Sequence, residues 1–174
     1  MEDKRITKTK RALKSALLEL LTTQAFDVIS ITELCKIANV SRITFYTHYK
    51  DKFALLDDIF NDMLIIGKEG YHRRQEENNP ENNLTQGYLN VLDSILSLYY
   101  ERYDFFQHVV PETNPYLAFR FYRILLDTVE SHTDKLKTSY SLKYSARQIA
   151  GFICFGLFGF ISESYCLLYT SPSP

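Results

Sequence analysis

The chain has no tryptophan, and it has few of the residues that punctuate β-sheets: 6 glycines and 5 prolines in 174 residues. A sandwich or barrel needs turn formers every 8–12 residues or so. That supply is missing, and the broad class expected is all-α. Cysteine is scarce too. Cys35, Cys154 and Cys166 form an odd set without C-x-x-C spacing, which excludes a disulfide framework or a thiolate metal site. Cys35 and Cys154 are expected as small apolar core residues in a reducing compartment. The strongest hydrophobic run, Ile149 to Ile161, spans 13 residues between Arg147 and Glu163. A bilayer-spanning helix needs roughly 20, so this run is expected to be a buried helix and no membrane partner is expected. The polar stretch from Met1 to Lys14 does not read as a signal peptide, and a cytoplasmic chain is expected. There is no G-x-S-x-G, phosphate-binding glycine loop or H-E-x-x-H, and His72, His108 and His132 lack ligand spacing. No catalysis, cofactor or metal is expected. No internal repeat is visible.

Rings are plentiful instead. The 12 Phe and 13 Tyr gather after Tyr88, which gives the second half unusual apolar volume to bury. Charge is unevenly divided as well. Residues 1–52 carry ten Lys/Arg and six Asp/Glu, a net of +4, and residues 53–174 carry ten and fifteen, a net of −5. A basic head on an acidic body confines attraction for a polyanion to one end.

From Thr7 to about Thr22, Leu13, Ala16, Leu17, Leu20 and Leu21 fall on one helical face, opposite Lys8, Lys10, Arg11 and Lys14. Ala25-Phe26-Asp27 interrupts the pattern. Ser30 and Glu33 form a capping box for a short second helix with Leu34, Ile37 and Ala38 inward. Asn39 tolerates the left-handed conformation that ends helices, Val40 plugs the turn, and Ser41 caps a third helix to about His48. Asp51 caps a long fourth helix with Phe53, Leu56, Ile59, Phe60, Met63 and Leu64 inward. The polar stretch Gln75–Asn83 reads as a linker. Further helices are predicted over Leu84–Arg102 (Leu89, Leu92, Ile95, Leu96 and Tyr99 on one face), around Phe105, and over Tyr116–Lys137 and Lys143–Tyr165. The expected architecture is all-α, a three-helix head with a helix-turn-helix, joined by a long helix to a helical body. The divisions are 1–50, 51–169 and an irregular tail, 170–174.

The stretch from Ser30 to Lys52, SITELCKIANVSRITFYTHYKDK, has the dimensions of a DNA-reading helix-turn-helix. Phe45 and Tyr49, one turn apart, face inward. Arg42, Thr44, Tyr46, Thr47 and His48 are left on or near the outer side, with groups suited to base edges and phosphates. This string resembles the head of the TetR (tetracycline repressor-like) family of transcription regulators. It matches the family run at Ala38, Val40, Ser41, Thr44, Phe45, Tyr46, His48, Tyr49 and Lys52. Asn39 and Ala25 stand where the family usually has glycine. The resemblance implies DNA contacts from Thr32, Ser41, Arg42, Thr44, Tyr46, His48 and Lys52, and a double-stranded operator as partner.

For the body, the resemblance implies that the last two helices pair with a second copy of the chain. Phe119, Tyr122, Leu126, Phe152, Phe155, Gly156 and Gly159 are the expected contacts. It also implies a cavity for a small-molecule effector, for which the rings Tyr88, Tyr99, Tyr103, Phe106 and Tyr122 are the candidates. In style the body resembles the branch typified by dihydroxyacetone-kinase regulators. The function so implied is a sequence-specific DNA-binding transcription regulator, a ligand-responsive repressor acting as a homodimer. A ligand-independent architectural DNA-binding protein and a helical protein-binding module are the alternatives.

Overall fold

The computed structural model describes residues 4–111, 113–136 and 143–170, with the main chain alone over 161–170. Among these residues there is no strand. The helices are α1 (Lys4–Leu21), α2 (Ile31–Ile37), α3 (Arg42–His48), α4 (Lys52–Asn78), α5 (Leu84–Glu101), α6 (Tyr103–Phe106), α7 (Pro115–Leu136) and α8 (Ala146–Thr170), with a 3-10 turn at Phe26–Val28. The Cys166 side chain and the tail 171–174 lie outside the described residues.

Helix starts are fixed by side chains read from the sequence. The Ser30 hydroxyl accepts from the Glu33 amide at 3.2 Å while the Glu33 carboxylate accepts from the Ser30 amide at 2.9 Å, a complete capping box. Ser41 accepts from the Thr44 amide at 3.0 Å, and Asp51 accepts from the Ala54 amide at 2.8 Å. Asn39 has φ 54°, so the left-handed turn residue between α2 and α3 is realised without glycine. Ala25 is extended at φ −67°, a conformation that needs no glycine.

The head closes over Leu13, Leu17, Leu20, Phe26, Leu34, Phe45 and Tyr49, all buried. Cys35 is buried, as expected of a small apolar core residue, whereas Ile37, expected inward, is turned outward. The body core is built from α4, α5, α7 and α8 around Phe60, Phe105, Phe106, Leu117, Phe121 and Leu125.

Two parts of the body depart from the expected pattern. Residues 75–78 continue α4 rather than forming a linker. The Asn90 amide, fully buried, donates to the side-chain oxygens of Gln75 at 2.5 Å and Asn78 at 2.8 Å, and Asn79 donates to Gln75 at 3.1 Å. The polar composition that suggested a loop is a satisfied amide network. The inward face of α5 is correspondingly Gly87, Asn90, Ser94, Leu98 and Tyr99, while Leu89 is exposed. Arg74 of α4 reaches across to the hydroxyls of Ser94 at 3.4 Å and Ser97 at 2.7 Å, so small polar residues belong at this contact.

Candidate nucleic-acid interface and body cavity

Phe45 has no exposure and Tyr49 almost none, and the Tyr49 hydroxyl donates to the Asp58 carboxylate at 2.6 Å. These two anchors hold α3 to the head, Tyr49 through Asp58 of α4, and fix which face it shows. That face carries Arg42, Ile43, Tyr46 and Thr47, all exposed, with Thr32 and Ser41 exposed beside it and Thr44 and His48 half-buried at its edge. Six of the seven expected contact residues therefore share one surface. Part of their hydrogen-bonding capacity is local: Ser41 and Thr44 hydroxyls lie 2.9 Å apart, and the Thr47 hydroxyl donates to the Ile43 carbonyl at 2.9 Å.

Ile43 was missed. Its side chain is 82% exposed at the start of α3, between Arg42 and Tyr46. The signal was available: residue 43 is two positions from buried Phe45, out of phase with the helix's inner side.

Lys52 is the seventh residue, and its ammonium is engaged inside the head. Its ammonium donates to the carbonyls of Phe26 at 2.9 Å, Asp27 at 2.7 Å and Ile29 at 2.9 Å. It also stands 4.9 Å from the Phe26 ring centre. All three protons are committed to the 3-10 turn, so Lys52 is a clamp on the head. The basic face of α1 is partly committed too, since Lys14 pairs with Asp58 at 3.1 Å and with Asp62 at 2.5 Å.

A search for family models finds no match. The chain is 40% identical over 58 residues to an uncharacterized HTH-type transcriptional regulator of Bacillus subtilis, YxbF. That match spans 33% of the chain and only 14% of the relative's length. Among solved structures, a Clostridium perfringens protein described as a fatty acid metabolism regulator superposes with a TM-score of 0.63 at 16% identity, covering 94% of this chain and 89% of its own. The chain shares the fold of that protein. The dihydroxyacetone kinase operon activator DhaS is similar at a TM-score of 0.51 and 23% identity, over 86% of this chain and 81% of its own. The shared fold thus extends through the body, beyond the segment in which the sequence motif was legible.

A cavity of about 640 Å³ opens between α4, α5 and α7. Its wall includes Phe60, Met63, Tyr71, His72, Leu98, Phe121, Leu125, Thr128 and His132. None of the five expected ligand-binding rings lines it. Tyr99 and Phe106 are buried in a ring cluster with Tyr103, at centroid distances of 5.7 and 5.9 Å from Tyr99. Tyr122 packs on Phe155 at 5.3 Å, and Tyr88 spends its hydroxyl on Thr133 at 3.0 Å. These rings are core, not cavity wall: the aromatic excess is used to pack helices, and the cavity falls elsewhere.

The expected pairing residues divide as well. Phe119, Phe152, Phe155, Gly156 and Gly159 are exposed on α7 and α8, and Tyr122 is half-buried beside them. Leu126 is buried within the chain, so it supports this face from below and is not at its surface. No helix among the described residues is long and apolar enough to cross a membrane.

Two histidines in the body have pKa values below the usual 6.5. Burial lowers His108, against the opposing pull of Asp104, and burial then Lys135 lower His132, whose ring faces Tyr71 and Tyr88. Depressed folded values mean that the unfolded chain binds more protons as pH falls. The stability these neutral rings allow is present above about pH 6.5 and is lost below it, toward the folded values. The melting temperature should fall between pH 7 and 5, and the slope should flatten in His132→Gln. An equal slope in that variant would remove His132 as a cause.

Proposed function

We propose that this protein is a DNA-binding transcription regulator that acts as a homodimer and responds to a small effector in the body cavity. Residues 1–50 form the DNA-binding unit in this reading, and 51–169 the sensing and pairing unit, in the cytoplasm with the DNA. The observation that carries it is α3, a short capped helix locked from beneath by Phe45 and Tyr49 and showing Arg42, Ile43, Tyr46 and Thr47 outward. A net of +4 over residues 1–52 supports the same surface.

Pairing through α7 and α8 is supported by the shape of their exposed face. Phe152, Phe155, Gly156 and Gly159 fall at i, i+3, i+4 and i+7, one continuous stripe. A Cβ added at Gly156 or Gly159 would meet nothing within 4 Å. Bulky rings alternate with bare backbone on one strip, and such a surface is complementary to a twofold copy of itself. A pair of heads is also what two half-sites about 34 Å apart require.

Coupling between cavity and head has two routes. Helix α4 runs from Lys52 and Asp58 at the head to Tyr71 and His72 at the cavity. Helix α7 also spans both: Asn114, just before it, accepts from the Phe26 amide at 2.7 Å, Tyr116 stacks on Phe26 at 5.6 Å, and Thr128 and His132 line the cavity. An effector that changes the spacing of α4 and α7 shifts the head, with typical coupling of roughly 1–3 kcal/mol.

The test is selection of bound fragments from random duplex DNA, followed by Tyr46→Ala on the selected site. Tyr46 is exposed, so the variant should keep its helicity and melting temperature. Its specific affinity should fall about 10–100-fold, the value of a lost base contact of roughly 1–3 kcal/mol. No selected site, or unchanged affinity, would defeat the reading or the assignment respectively.

A further inference from the structure

The cavity between α4, α5 and α7 changes character along its length. At one end the lining side chains Phe60, Leu98, Phe121 and Leu125 are buried and wholly apolar. At the other the lining residues Lys68, His72 and Lys135 are exposed. The acidic residue on the wall, Asp127, is already engaged by Arg147 at 3.1 Å, so the rim presents positive charge. Lys68 makes no ion pair among the described residues. His132 stands in the same wall, packed edge-on against Tyr71 at a centroid distance of 5.2 Å, and its Nε2 is buried without a hydrogen-bond partner.

The exposed end of the cavity leaves room for a polar head group. The rim selects the sign of that group. A cationic head would face Lys68 and a neutral one would leave its charge unanswered, whereas an anionic head meets that lysine and accepts from His72. The buried end selects an apolar tail. Residues 60 and 68 are separated by about 12 Å of helix, which an extended chain of roughly ten carbons matches. The volume of about 640 Å³ lies within the ~300–1,000 Å³ typical of small-molecule sites.

We propose that this cavity takes an anionic amphiphile, its carboxylate held at Lys68 and His72 and its medium-length apolar tail laid against Phe60, Phe121 and Leu125. The inference rests on the reading of the body as a sensor and names the class of molecule sensed.

Three probes with one tail separate the possibilities on the full chain: decanoate, 1-decanol and decylamine, each below its micelle concentration. Isothermal titration and melting curves should show decanoate binding and raising the melting temperature. 1-Decanol should bind at least tenfold more weakly, and decylamine more weakly still. Lys68→Glu changes an exposed residue and should weaken decanoate at least tenfold while leaving 1-decanol unchanged. Gly67→Leu builds a side chain toward the cavity, where an added Cβ meets only Leu98 at 3.6 Å, and should remove binding of all three. Decylamine binding as well as decanoate, Lys68→Glu without effect on decanoate, or no binding by any probe would overturn the proposal. Operator titration keeps the two readings apart. Decanoate that binds without changing operator affinity sinks the sensor reading and leaves the ligand class standing. A protein that binds its operator and ignores all three probes sinks the ligand class alone.

Discussion

Lys52→Met should lower the stability of the protein by about 2–4 kcal/mol, because three carbonyls lose a charged donor at once. Methionine keeps the methylene stem that packs beside Phe26 and Phe53 but supplies no proton to Phe26, Asp27 or Ile29. For a chain of this length the melting temperature should drop by roughly 5–12 °C. Arginine should not rescue it, since a planar guanidinium cannot direct three donors into one carbonyl cluster. The electrostatic signature separates this role from a phosphate contact. The slope of log affinity against log salt should stay as in the unmodified protein when measured well below the melting point. A slope reduced by about one unit per subunit, with stability unchanged, would return Lys52 to the DNA backbone.

That lysine shows where the sequence stops being legible. Caps, turn and recognition helix are local: Ser30 with Glu33, Asn39, Ser41 and Asp51 act on residues within one turn, and each stands in the structure as its chemistry predicts. The buried pair Phe45 and Tyr49 is equally local. Lys52 bonds to carbonyls 23 to 26 residues away, and no periodicity carries that information. The Asn90 network fails for a related reason, because a polar residue whose partners lie on another helix looks like surface or loop. The rings expected at the effector cavity, such as Tyr99 and Phe106, pack on one another, and the cavity is walled by others, Phe60, Tyr71 and Phe121, with aliphatic and histidine side chains. Composition reported the surplus of aromatic volume correctly but not its location.

Helix α8 is where a single exposed side chain carries the largest expected effect. Phe152 is 84% exposed and Phe119 58%, more bare aromatic surface than a lone chain of this size gains from showing. In the proposed pair each Phe152 is buried against the twofold copy, worth roughly 1.5–3 kcal/mol per ring. Phe152→Glu changes both copies at once, since the contact is isologous, and it adds an unpaired charge to a desolvated surface. The dimer should weaken by at least about 4 kcal/mol, close to a thousandfold in dissociation constant. Operator affinity should collapse with it, because one head engages only one half-site. The single chain should stay folded, since residue 152 touches little of its own molecule. Gly156→Leu is the companion test. Within one chain its side chain enters open space, and replacing a mid-helix glycine should stabilise α8 by up to about 1 kcal/mol. Loss of the dimer in a variant whose own helix has gained stability can come only from the partner's backbone at that point. Sedimentation of both variants decides the matter: dimers of unchanged affinity would move the pairing surface off α8.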